Sequence, residues 1–80
     1  LGLHARASAR LFSTADRFES EVYLTRLDNQ HIASAKSIMG LMMLAAPFGT
    51  KFSLSAEGPD AENAISAIYE LISHRFGEEE

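Results

Sequence analysis

Gly2-Leu3-His4-Ala5-Arg6 is the first stretch whose residue types suggest chemistry, because a histidine and an arginine stand where a helix is about to begin. The N-terminus of a helix presents unpaired N–H groups and about half a positive charge, a ready site for an anion such as phosphate. A neutral ring nitrogen of His4 at that point is a nucleophile toward phosphorus. The phosphoryl group it gained would meet the backbone N–H groups of Ala5 and Arg6, with the Arg6 guanidinium suited to its oxygens. The same positive field disfavours the imidazolium and keeps His4 nucleophilic at neutral pH. Gly2 allows close approach of the chain. The competing reading is plain: a lone histidine before a helix is ordinarily a cap or a surface residue. His31 and His74 share no ligand spacing with His4, so no metal site is expected.

A second stretch, Ser34-Ala35-Lys36-Ser37-Ile38-Met39-Gly40-Leu41-Met42-Met43-Leu44, suggests a surface for a partner. On a helix Leu41, Leu44 and Ala45 group on one side, while Ile38, Met39 and Met42 group on another. A short helix lying on a sheet buries only one of them. An exposed apolar face of this kind often marks a docking site, and methionine adapts to several partners. Ser37 is of the residue type that caps helices; it is also a candidate for phosphorylation, since a phosphate at a helix N-terminus is electrostatically tolerated.

The elements that must hold these stretches follow from periodicity. Ala7, Leu11, Ala15 and Phe18 recur at helical spacing, predicting a helix from Ala5 to about Arg17. Val22, Tyr23, Leu24 and Thr25 predict a strand over Glu21–Leu27, and Asp28-Asn29 a turn into a short strand over Gln30–Ala33. Ser37 to about Ala46 reads as a short helix ended by Pro47 and Gly49. Lys51–Glu57 alternates, with Phe52, Leu54 and Ala56 on one face. After the Gly58-Pro59-Asp60 turn, with Asp60 as N-cap, Ile65, Ile68, Leu71, Ile72 and Phe76 form the stripe of a last helix, and Gly77 follows as its C-cap. The order helix, strand, strand, helix, strand, helix is an α+β pattern, with helices on one face of an antiparallel sheet.

The 80 residues fit one domain. So small a domain has little room for a deep pocket, which favours surface chemistry shared with a partner. With no cysteine, disulfides, thiolate metal sites and cysteine nucleophiles are excluded. No apolar run approaches the roughly 20 residues that span a bilayer, and no signal peptide is read at the start. The net charge of −4 is unevenly placed. Residues 1–17 carry Arg6, Arg10 and Arg17 against Asp16, a local +2, whereas residues 57–80 sum to −6. Without a basic stripe, nucleic-acid binding is not expected.

These stretches together resemble the HPr family, the histidine-containing phosphocarriers of the bacterial phosphoenolpyruvate-dependent sugar phosphotransferase system. Gly2-Leu3-His4-Ala5-Arg6 resembles the active-site signature, and Ser34 to Leu41 the regulatory-serine segment. Ser53-Leu54-Ser55-Ala56-Glu57-Gly58 resembles the strand end before the last helix. The resemblance implies an open-faced sandwich of an antiparallel sheet covered on one face by three helices, with residues 1–80 as a single domain. It implies phosphorylation of His4 by enzyme I, help from Arg6, and donation to EIIA components. Ser37 would correspond to the serine modified by HPr kinase/phosphorylase, and Ile38, Met39 and Met42 to the docking surface. The domain would be a cytoplasmic phosphoryl-transfer intermediate rather than a stand-alone enzyme, with no metal or organic cofactor and no insertion into membranes. Two rivals remain: a regulatory interaction protein of the nitrogen branch, and an HPr-like domain cut from a fused protein. Against the family pattern, Ala7 stands where proline is usual. The family's first strand, which pairs with the segment matching Lys51–Glu57, is not found before the histidine, so the domain is expected to be N-terminally incomplete.

Overall fold

The computed structural model describes residues 5–44 and 50–74. The elements are α1 (Ala5–Ala15), β1 (Glu21–Arg26), β2 (Ile32–Ser34), α2 (Ile38–Leu44), β3 (Phe52–Glu57) and α3 (Ala61–Ser73). Order and type match the sequence reading. The strands form an antiparallel sheet in the order β2-β1-β3. Leu24 lies opposite Ala33 on one side and Leu54 on the other, and Val22 lies opposite Ala56. Among the described residues the outer edge of β3 pairs with no further strand.

One face of this sheet is covered. Val22 and Leu24 of β1 are fully buried, and Phe52, Leu54 and Ala56 of β3 are half-buried, as the alternation of β3 requires. Tyr23, Thr25, Ser53 and Ser55 fall on the opposite face by the period-two rule. The covering helices contribute Ala7, Leu11 and Ala15 from α1, Leu41 and Leu44 from α2, and Ala64 and Ile68 from α3. Alanines at these positions let the backbones approach closely. Burial of each large side chain stabilises by about 1.5–3 kcal/mol. α1 packs against both α2 and α3, and α3 also lies on β3.

Two boundaries shift by two residues and one expected cap is not made, each for a reason visible in the hydrogen bonds. α1 stops at Ala15, because the Arg17 and Phe18 N–H groups turn back to Thr14 and Ala15 in tighter i→i−3 bonds. β2 starts at Ile32 rather than Gln30. Gln30 takes φ +63 and donates its N–H to the Arg26 carbonyl, and the Asn29 side chain accepts from the His31 N–H, so the turn extends through Gln30. Asp60 precedes α3 but makes no side-chain cap. Its carboxylate instead accepts from the backbone N–H groups of Glu19 and Ser20 and from the Ser20 hydroxyl. The expected helix end at Ala45-Ala46, the Pro47-Gly49 stop, and Phe76 and Gly77 lie outside the described residues.

Candidate functional site

α1 begins at Ala5, the residue after His4 in the sequence, and its first turn holds no acidic residue. His4 itself lies outside the described residues. Ala5 and Arg6 are exposed on that turn, while Ala7 and Ser8 turn inward and are buried. Amphipathicity explains the placement: Ala7, Leu11 and Ala15 fix which face of α1 meets the core, and Arg6 and Arg10 follow on the outer side. The two arginines line a shallow open groove with Ala9, Ser13, Thr14 and Leu71 of α3. The first turn of α1 therefore combines the N–H groups of a helix start with basic side chains and no carboxylate, which together favour an anion. Among the described residues no three histidine, aspartate or glutamate side chains cluster as metal ligands.

α2 is held on its inner side and bare on its outer side. Leu41 is 0% and Leu44 3% exposed, whereas Ile38, Met39 and Met42 are 38%, 71% and 43% exposed. The expected division into a packed and an open face is present. The sequence reading missed Met43, which is 77% exposed and widens the patch. The signal was available, since Met43 follows Met42 by about 100° around the helix and so cannot join Leu41 and Leu44 on the inner face.

Ser37 opens α2. Its hydroxyl accepts the Gly40 N–H at 3.0 Å, and its carbonyl accepts the Leu41 N–H at 2.9 Å. It is thus the cap that its residue type suggested. A Cβ on Gly40 would come within 3.1 Å of the Ser37 hydroxyl oxygen, so glycine leaves that oxygen room.

Cations fasten both ends of this segment. The Lys36 ammonium donates to the Phe18 carbonyl at 2.6 Å, just beyond the C-terminus of α1, where the helix dipole favours positive charge. Arg26 donates from Nη1 to the Leu44 carbonyl at 2.8 Å, and from Nε and Nη2 to both oxygens of Asp28 at 3.0 and 2.6 Å. Their mutual hydrogen bonds raise the Arg26 pKa above its ordinary value and lower that of Asp28. α2 is therefore tied to β1 and to the end of the helix that starts after His4. Sequence reasoning did not find these ties, because each joins positions 18 residues apart.

No helix among the described residues is long and apolar enough to cross a membrane. The family model for the PTS HPr component phosphorylation site matches residues 1–74. The chain is 51% identical to phosphocarrier protein HPr of Cupriavidus necator over 80 residues, covering all of this chain and 88% of that protein. It is 50% identical to phosphocarrier protein HPr of Neisseria meningitidis, with the same coverage. The crystal structure of HPr-C-His from Thermoanaerobacter tengcongensis superposes with a TM-score of 0.91 at 44% identity, covering 99% of this chain and 86% of that one.

Proposed function

The chain belongs to the HPr family of phosphotransferase-system phosphocarriers, and on that premise we propose that it carries a phosphoryl group on His4 between enzyme I and EIIA components. An unprotonated ring nitrogen of His4 attacks the phosphorus of phospho-enzyme I. The bond from phosphorus to enzyme I breaks as the nitrogen–phosphorus bond forms. The second transfer repeats the step with His4 as leaving group and an EIIA nucleophile as acceptor. The observation that carries this reading is the start of α1 directly after His4, with no acid in its first turn. There the N–H groups of Ala5 and Arg6 and the Arg6 guanidinium are suited to hold the phosphoryl oxygens. No cofactor or metal takes part in this scheme. Residues 1–80 act as one carrier domain in the cytoplasm, where phosphoenolpyruvate and enzyme I are available.

Docking in this scheme uses Ile38, Met39 and Met42, whose exposure on α2 supports the assignment. Ser37 is the control point. Its phosphorylation by HPr kinase/phosphorylase would set about −1.5 to −2 charge beside the apolar patch. The fold would tolerate that charge, but an apolar contact would have to desolvate it. The test is a reconstituted relay: enzyme I, phosphoenolpyruvate, the chain and an EIIA acceptor. The parent is expected to relay phosphate to EIIA, and Arg6→Glu to slow it about ten- to hundredfold, the worth of one charge-assisted hydrogen bond. Arg6→Glu relaying at the parental rate with an intact fold would contradict the phosphate-site assignment.

A further inference from the structure

The chain contains three methionines and no cysteine. All three methionines lie on the seven residues of α2, and all are exposed: Met39 by 71%, Met42 by 43% and Met43 by 77%. Methionine ordinarily fills cores. Here the whole sulfur content of the chain is displayed on one helix instead. The contacts that fasten α2 use other groups: Leu41 and Leu44 in the core, the Ser37–Gly40 cap, and the Arg26 bond to the Leu44 carbonyl. The sulfur chemistry of this surface is therefore separable from the packing that holds it.

We propose that α2 is a redox-sensitive docking surface, on which peroxide oxidises Met39, Met42 and Met43 to sulfoxides and thereby weakens partner docking reversibly. The inference rests on the docking role assigned above. In each step the thioether sulfur attacks one peroxide oxygen. A sulfur–oxygen bond forms, the oxygen–oxygen bond breaks, and the second oxygen leaves as water after proton transfer. Sulfur loses two electrons and peroxide gains them. With no thiol in the chain, no faster internal sink intercepts the oxidant. The product replaces an apolar thioether by a strongly polar acceptor, which an apolar interface would have to strip of water. Sulfoxide reductases of the two epimer classes, with a thiol reductant, restore the thioether.

Exposure sets the order of reaction, with Met43 and Met39 ahead of Met42. The test treats the intact chain with hydrogen peroxide at neutral pH and follows each methionine by peptide mass mapping. Melting is recorded alongside, as is phosphoryl transfer from enzyme I. The expected result is one added oxygen on each methionine in that order, with an unchanged fold. KM should rise about tenfold, the effect of burying one polar group without a partner, while kcat stays within about twofold. Both reductases together should restore the starting KM. Met39→Leu, Met42→Leu and Met43→Leu, singly and combined, should reduce the peroxide response relative to each variant's own untreated KM.

Full oxidation with an unchanged KM overturns the proposal. So does oxidation that unfolds the chain, a KM that the reductases do not restore, or a combined leucine variant that responds to peroxide as the parent does. Met39→Glu in untreated protein separates this from the docking assignment. If it leaves KM unchanged, the docking face is elsewhere. If it raises KM while sulfoxide does not, the redox inference alone fails.

Discussion

Replacing Gly58 by alanine should be among the most damaging single changes in this chain, although Gly58 is an exposed turn residue. Gly58 stands between β3 and α3 at φ +141, a conformation that L side chains rarely adopt. A Cβ there would lie 2.5 Å from the Ser20 hydroxyl oxygen and 2.7 Å from the Ser20 Cα. The latter is backbone at the entrance to β1, and Ser20 is 1% exposed, so it has nowhere to move. The Ser20 hydroxyl also accepts the Asp60 N–H at 3.1 Å while donating to the Asp60 carboxylate, and the clash would prise that pair apart. Backbone strain costs about 1–3 kcal/mol, and a buried hydroxyl left without its partners about 1–3 kcal/mol more.

Taking about 3 kcal/mol in all, at about 4–8 °C per kcal/mol for a domain of this size, Tm should fall by about 12 °C or more. Circular dichroism melting measures it. Ser20→Ala supplies the control: it removes the clashing oxygen together with its bonds, so the double variant should melt well above the additive expectation. A Gly58→Ala protein melting within about 3 °C of the parent would refute the reasoning, since strain alone exceeds that.

Other outcomes follow from the same packing. The Ser8 hydroxyl is fully buried and has no hydrogen-bond partner among the described residues, so Ser8→Ala should raise Tm by several degrees, about 1 kcal/mol; a lower Tm would mean the hydroxyl is satisfied. The Ser20 hydroxyl, and then the Glu19 and Ser20 N–H groups, hold the Asp60 carboxyl below its ordinary pKa. Its contribution to stability is therefore present above the ordinary carboxylate pKa and lost as pH falls through the lowered value. Asp60→Asn should melt lower at neutral pH and lose less on acidification, as melting against pH would show; parallel curves would exclude Asp60 from acid unfolding. Ser37→Asp should keep the fold but raise the KM for transfer from enzyme I, with Ser37→Ala beside it. If both match the parent, Ser37 is a helix cap only.

The amino-acid pattern made the elements legible where periodicity and burial act locally. The 3.6-residue stripe of α1, the alternation of β3 and the two-faced pattern of α2 all reflect a single buried side per element, which sequence spacing encodes directly. What stayed hidden was set by partners far along the chain. Asp60 carries the residue type of an N-cap, yet its carboxylate turns to Ser20, 40 residues earlier, because a buried hydroxyl and two N–H groups there outcompete its own helix. The late start of β2 depends on the left-handed Gln30, a position that sequence preference would have assigned to glycine or asparagine. At the site, residue types gave the acid-free start of α1 beside Arg6 and the cap of α2. They did not give the Lys36 and Arg26 ties that orient α2, since a charged side chain does not announce which carbonyl it will reach.

The central claim is that phosphate travels on His4, and the measurement closest to it is the position of the label. The chain is incubated with phosphoenolpyruvate and catalytic enzyme I, then mapped by mass spectrometry under alkaline conditions that preserve phosphohistidine. The account predicts one acid-labile, base-stable phosphoryl group on His4, none on His31 or His74, and no transfer in His4→Ala. Label on another histidine, or transfer retained in His4→Ala, would contradict it.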